Sequence, residues 1–143
     1  MDISEKLVGL RIELARLCDG FSQSELSKNV ILSTRIKILY ELKIHDRTPG
    51  ELIAMLCVAK SNLANIVKSM IDDGVLTSYK SGTNLKNVNY AITNKGINEL
   101  NAYLDRMSEC FYNNFAGDAM LLADRLDDFL KILNTKSQGE KND

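Results

Sequence analysis

The apolar positions of this chain follow two spacings. Ile3, Leu7, Leu10, Leu14 and Leu17 recur at intervals of 4, 3, 4 and 3, one narrow line along a helix. Asp2 and Glu5 are placed as the two halves of a capping box, and Gly20 supplies a left-handed stop. Residues 21–32 are ambiguous, with a helical turn in SQSELSK and an extended NVIL both allowed. Ser33 is the predicted N-cap of a second helix through Lys43, with Ile36, Leu39 and Leu42 inward and Arg35 and Lys37 outward. The stretch IHDR breaks the pattern. Thr48-Pro49-Gly50-Glu51 then combines a capping box with proline at the first helical position. It opens a helix from Pro49 to Leu56 with Leu52, Ile53 and Leu56 inside. After Cys57-Val58, a helix from Ala59 to Asp73 carries Leu63, Ile66, Val67, Met70 and Ile71 on one stripe, and Gly74 ends it.

The spacing then changes. Val75–Lys80 and Asn87–Ile92 read as two short strands around the turn SGTNLK. Val88, Tyr90 and Ile92 alternate with Asn87, Asn89 and Ala91, the period of a half-buried strand. Helical spacing returns after Thr93, a predicted cap, with Ile97, Leu100, Leu104, Met107 and Phe111 over residues 94–113. Asn113, Asn114 and Gly117 interrupt it. A last helix over 117–134 carries Ala119, Leu122, Leu126, Phe129 and Leu133, and the polar tail 135–143 is expected to be disordered.

This order predicts a mainly α chain with a small β-hairpin: a winged helix-turn-helix over residues 29–95, flanked by terminal helices. In that layout the second helix of the pair packs by one stripe and presents the other, and a helix fits the major groove. The outward stripe here is Lys60, Ser61, Asn62, Asn65 and Lys68. Amides donate and accept at adenine edges, lysines reach phosphates or guanine, and serine serves either. A solvated face on a helical bundle would carry the same residues.

Composition narrows the class. With 143 residues, 45% hydrophobic and 26% charged, the chain is sized for a single domain, 1–143, and is too apolar to be disordered. The single proline favours long helices. No apolar run reaches the roughly 18–20 residues of a membrane span, and MDISEK lacks the basic and apolar segments of a secretory signal. Three irregularly spaced cysteines form no disulfide or zinc framework, so a reduced cytoplasmic setting is expected.

The net charge of −1 conceals a partition. Residues 28–95 hold ten basic and five acidic groups, a net of +5, between a −2 segment before and a −4 segment after. Such sectoring suits a chain that offers one face to a polyanion. The helices at 2–20 and 96–134 are not needed to complete a 70-residue winged core, so they are expected to pair with each other and with a second copy. A two-fold dimer would present two reading helices to successive major grooves of double-stranded DNA. A monomer whose terminal helices wrap the core is the alternative.

The chain resembles the MarR family of dimeric winged-helix transcriptional regulators over residues 1 to about 134. The resemblance lies in Leu32-Ser33 with Ile36 and Leu39, in TPGELIAML, KSNLANIVKSM and IDDGVL, and in AITNKG, similar to the family's Leu-Thr-x-x-Gly. It implies a homodimer that binds a palindromic operator, usually as a repressor, and is released by a small-molecule effector or by cysteine oxidation. By position it implies DNA contacts from Lys60, Ser61, Asn62, Asn65 and Lys68, with Lys80 and Lys86 on the wing. Two positions depart from the pattern. Asn84-Leu85 stands where the family's wing carries Asp-Arg, and Ala59 replaces the residue that often caps the reading helix.

Other chemistry finds little footing. Cys18 sits where some family members place a peroxide sensor, but at a helix C-terminus beside Asp19 its thiolate is disfavoured; Cys18, Cys57 and Cys110 read as packing residues. His45 is the only histidine, and no HxxxH or CxxC spacing exists, so no metal site is expected. There is no GxSxG and no phosphate-cradling glycine loop, hence no catalytic residues, no enzyme and no cofactor. Tyr40, Met55, Tyr103 and Met107 are positions that would line an effector pocket if one lies between the terminal helices and the winged unit, though core packing explains them as well. Two functions stay open: a DNA-binding regulator, or a winged-helix protein-interaction module such as an antirepressor, favoured by the arginine-free reading helix and wing.

Overall fold

The computed structural model describes the backbone of residues 2–22 and 33–142, and the side chains of 2–14 and 33–136. Among the described residues, six α-helices and a two-stranded sheet follow in the order α1 (Ile3–Ser22), α2 (Thr34–Ile44), α3 (Pro49–Leu56), α4 (Lys60–Asp72), β1 (Leu76–Ser81), β2 (Asn87–Ile92), α5 (Asn94–Phe115) and α6 (Ala119–Asn142). The fold is mainly α with an antiparallel hairpin, as the spacing predicts. The ambiguous stretch before Ser33 lies outside the described residues from 23 to 32.

Local rules explain four of the six described helix starts. The Glu5 amide donates to Asp2 Oδ1 at 2.9 Å, the Ile36 amide to Ser33 Oγ at 3.3 Å, and the Glu51 amide to Thr48 Oγ1 at 3.2 Å. At Thr48 the box closes, with the Thr48 amide donating back to Glu51 Oε1 at 3.4 Å. Thr93 Oγ1 accepts from the Gly96 amide at 3.1 Å and opens α5. Each such cap satisfies an amide that a helix start leaves without a partner.

The chain forms two compact units, Met1–Arg106 and Met107–Asp143, where its length predicts one. The core of the first is Ile36, Ile38, Leu39 and Leu42 of α2, Leu52 of α3, Leu63, Val67 and Met70 of α4, Val75 and Leu76, and Leu100 and Tyr103 of α5, all buried. No polar or charged residue is buried among the described residues. Gly96 lets α5 start against the hairpin: a Cβ there would lie 2.1 Å from the Val75 carbonyl oxygen. In the second unit Ala119 is buried, and α5 and α6 line a groove of about 390 Å³ with Met107, Phe111, Tyr112, Leu126 and Leu130.

Several expectations need correction. Gly20 does not end the first helix, which continues to Ser22; an interior glycine costs a helix only about 1 kcal/mol. Arg35 does not point outward but is held between two carboxylates. The break after α5 falls at Ala116–Asp118 rather than at Asn113, and helix continues over 135–142 where a disordered tail is expected. The residues after Asn134 include Lys, Gln and Glu and no proline, so nothing forbids further helix. The seams of the terminal helices are on the surface: Ile3, Leu7, Leu10 and Leu14 in α1, and Leu126, Phe129 and Leu133 in α6, are all exposed. Ile71, assigned to the inner stripe of α4, is 38% exposed.

Candidate nucleic-acid interface

The candidate interface begins at Thr48. Its capping box and Pro49 start α3, and Leu52 anchors that helix in the core. Cys57 ends α3 in a left-handed conformation, φ 53°, a geometry that costs a non-glycine residue roughly 1–2 kcal/mol. The chain then turns by 115° into α4, within the range for paired helices of the helix-turn-helix type. No side chain caps α4 at Ala59. The first amides of α4 therefore lack the acceptor that Thr48 supplies to α3, and a helix start with open amides favours anions.

α4 is divided lengthwise. Leu63, Val67 and Met70 are no more than 3% exposed, and they hold the helix on the core. Lys60, Ser61, Asn62, Asn65 and Lys68 are all exposed, so the structure brings the five predicted contact residues onto the accessible side of one helix. Asp72 closes that side at the C-terminal end, also exposed.

The hairpin stands next in the chain. β1 and β2 pair from Leu76↔Ile92 to Ser81↔Asn87. Lys80 lies on β1 and Lys86 follows the tip turn Thr83–Leu85, both exposed. Asn84 (φ 65°) and Leu85 (φ 54°) are both left-handed, and Leu85 is 64% exposed. The wing tip therefore presents a leucine rather than a cation. Burial along β2 does not alternate, because both faces are half-covered. One reason is a contact the sequence does not reveal: Tyr90 and Arg47 exchange backbone hydrogen bonds of 2.8 and 3.2 Å. Residue 47 thus makes an isolated β-bridge to β2 from the IHDR break, too short to carry any period. Tyr79 on β1 donates to Asp46 Oδ2 at 2.6 Å, which raises the tyrosine pKa, and this ties the wing to the same loop.

The charges sort by role. Arg35 pairs with Glu99 and Asp73, and Arg47 lies 3.6 Å from Glu41 and 3.8 Å from Glu51. Both arginines of the basic segment are thereby neutralised inside the unit. Among the described residues, no ion pair involves Lys60, Lys68, Lys80 or Lys86. The accessible positive charge of the segment is therefore lysine, including Lys60 and Lys68 on α4, Lys80 and Lys86 on the wing, and Lys37 and Lys43 on α2.

Other sequence candidates disperse. Tyr40 and Met55 are exposed on the first unit, Tyr103 is in its core, and Met107 lines the groove of the second. Cys57 is exposed and Cys110 half-buried, both free thiols, while the side chain of Cys18 lies outside the described residues. His45 is exposed, and among the described residues no cluster of metal-ligating side chains forms. No single described helix is long and apolar enough to cross a membrane.

No family model and no curated protein matches the chain by sequence. Solved structures do match. A transcriptional regulator from Thermotoga maritima superposes with a TM-score of 0.64 at 21% identity, covering 97% of this chain and 99% of that one. A MarR-family transcriptional regulator from Rhodococcus sp. RHA1 gives 0.68 at 13% identity, over 93% and 95% of the two chains. The apo form of wild-type MarR from E. coli gives 0.63 at 14%, over 91% and 97%. The fold is MarR-like. Within this MarR-like fold, the lysine and amide face belongs to the second helix of the helix-turn-helix, and the hairpin is its wing.

Proposed function

We propose that the chain is a homodimeric DNA-binding transcriptional regulator, a repressor that recognises a palindromic operator with α4 in the major groove. One observation carries the reading: α4 seals one side into the core and leaves Lys60, Ser61, Asn62, Asn65 and Lys68 accessible on the other. The open amides at its start and the unpaired Lys80 and Lys86 supply phosphate contacts. Structural neighbours described as transcriptional regulators support the same class. The exposed apolar residues of α1 and α6 are the surfaces through which two copies associate, because apolar patches of that extent are uncommon on monomers. Two reading helices then sit about 34 Å apart, one turn of duplex.

Selection of duplexes from random DNA, followed by affinity measurement across salt, tests the reading. The expected result is an enriched palindrome whose binding weakens steeply with salt. Lys60→Ala and Lys68→Ala each weaken all duplexes and flatten the salt slope by about 1, whereas Asn65→Ala relaxes discrimination at one position. Undiminished affinity after charge reversal at Lys60 and Lys68 removes α4 from the interface.

A second reading is favoured by the wing tip, where Leu85 is 64% exposed and no arginine is present. It makes the chain a winged-helix module that binds protein, for example as an antirepressor. Absence of any enriched palindrome at physiological salt supports that reading over the first.

A further inference from the structure

We propose that Arg35 is a positioning residue for the reading helix, setting the angle at which α4 is presented by gripping the end of α4 and the start of α5 together. This rests on the assignment of α4 as the reading helix. From α2, Arg35 donates through Nε and Nη2 to the two carboxylate oxygens of Glu99, both at 2.8 Å, and through Nη1 to Asp73 Oδ2 at 2.6 Å. Glu99 lies on α5, and Asp73 is the C-cap of α4. The same junction is held by Lys95 Nζ donating to the Asp73 carbonyl at 2.7 Å and by Thr93 Oγ1 donating to the Gly74 carbonyl at 2.6 Å.

Stability does not account for this arrangement. The three side chains are 29%, 36% and 50% exposed, and ion pairs that open to water contribute little. Geometry is the better account. A guanidinium is planar with its donors in a fixed fork, so binding two carboxylates on different edges fixes their mutual direction as well as their separation. The grip is at the C-terminal end of α4, while Lys60, Ser61 and Asn62 lie at the other. A 13-residue helix is about 20 Å long, so a tilt of about 10° at the grip moves its far end by roughly 3 Å. That displacement is close to one base-pair step. A small change at Asp73 is thereby enlarged where bases are read, and any shift of α5 at Glu99 reaches α4 through the same side chain.

The test reads the position of α4 directly. Spin labels at Ala64→Cys and Asn98→Cys, both exposed positions, in a chain with its native cysteines replaced by serine, report the α4–α5 distance distribution. Duplex affinity and the unfolding midpoint are measured in parallel on unlabelled protein. Arg35→Gln and Arg35→Lys are both expected to broaden or shift the distribution, with the midpoint little changed and operator affinity down at least about fivefold. Failure of lysine to rescue marks geometry rather than charge. Glu99→Gln and Asp73→Asn, which keep the arginine, are expected to move the distribution in the same way and serve if the Arg35 variants do not fold. An unchanged distribution in the Arg35 and Asp73 variants overturns the proposal, as does full rescue by lysine. If the distribution shifts but the wild-type chain binds no duplex, positioning stands and the DNA-binding function fails.

Discussion

The winged unit and the terminal helices obey opposite rules. In α2, α3 and α4, the apolar stripes close a core in which Leu39, Leu52 and Met70 have no measurable exposure, with Ile71 at its edge 38% exposed. In α1 and α6, equally regular signals end at the surface, with Ile3 at 68%, Leu7 at 49% and Leu133 at 45% exposed. Regular spacing therefore says that a helix has an apolar side, and says nothing about what covers it. In the winged unit the cover is the chain itself. For α1 and α6 the proposed cover is a second copy, and substitutions in the two regions should behave differently.

The largest effect belongs to the closed core. Leu39→Ala leaves a cavity at a site with no exposure, and such truncations cost about 2–5 kcal/mol. The loss should be the same at every protein concentration, read from urea unfolding. Next is Gly96→Ala. The new methyl would lie 2.1 Å from the Val75 carbonyl oxygen and 2.7 Å from Ile92 Cγ1, and overpacking of this kind costs about 1–3 kcal/mol. A midpoint equal to wild type would mean that α5 and the hairpin are further apart than described. Thr48→Ala removes one side of the α3 capping box and should cost about 1 kcal/mol.

What was legible in the sequence followed from how far each rule reaches. The Thr48–Glu51 box, the Ser33 and Thr93 caps and the buried stripe of α4 depend on residues three or four apart, and they stand where the pattern puts them. The five α4 contact candidates were legible as a face because Leu63, Val67 and Met70 fix the opposite one. Arg35 was not, because its partners are 38 and 64 residues away; nothing near it in the chain distinguishes it from Lys37, which is exposed. The +5 of the middle segment does not reveal which cations are accessible, for the same reason. Both of its arginines are held by carboxylates, three of them (Glu41, Glu51 and Asp73) already counted in that net, which leaves lysines to meet a polyanion. The Arg47–Tyr90 bridge was hidden because one residue has no periodicity.

Smaller effects on folding separate the two regions further. Leu7→Lys combined with Leu133→Lys places charges on exposed seams, and surface substitutions usually change stability by less than about 0.5 kcal/mol. The winged core should therefore unfold with a nearly unchanged midpoint at low protein concentration. The wild-type chain should sediment as a dimer and gain stability with concentration, and the variant should do neither. A variant that still sediments as a dimer would place the association surface elsewhere.

The smallest effect is a pH dependence at the junction of α4 and α5. The hydrogen bond from Arg35, with Lys95 nearby, holds the Asp73 carboxyl below its usual range. A carboxylate with a depressed folded pKa stabilises the folded state above its unfolded value of about 3.9, and that contribution is lost as pH falls through the folded value. Arg35 is shifted upward by the Glu99 hydrogen bond, so it stays charged across the accessible range and adds no titration of its own. The wild-type chain and Asp73→Asn should therefore keep a constant difference in unfolding midpoint from pH 7 down to about pH 5. The difference should then shrink below about pH 4 as Asp73 takes up its proton. Its size is limited because Asp73 is half exposed and water competes for the bond. Parallel acid limbs in the two chains would mean that the Arg35–Asp73 bond is not made in solution, and α4 would then be positioned by its buried stripe and Lys95 alone.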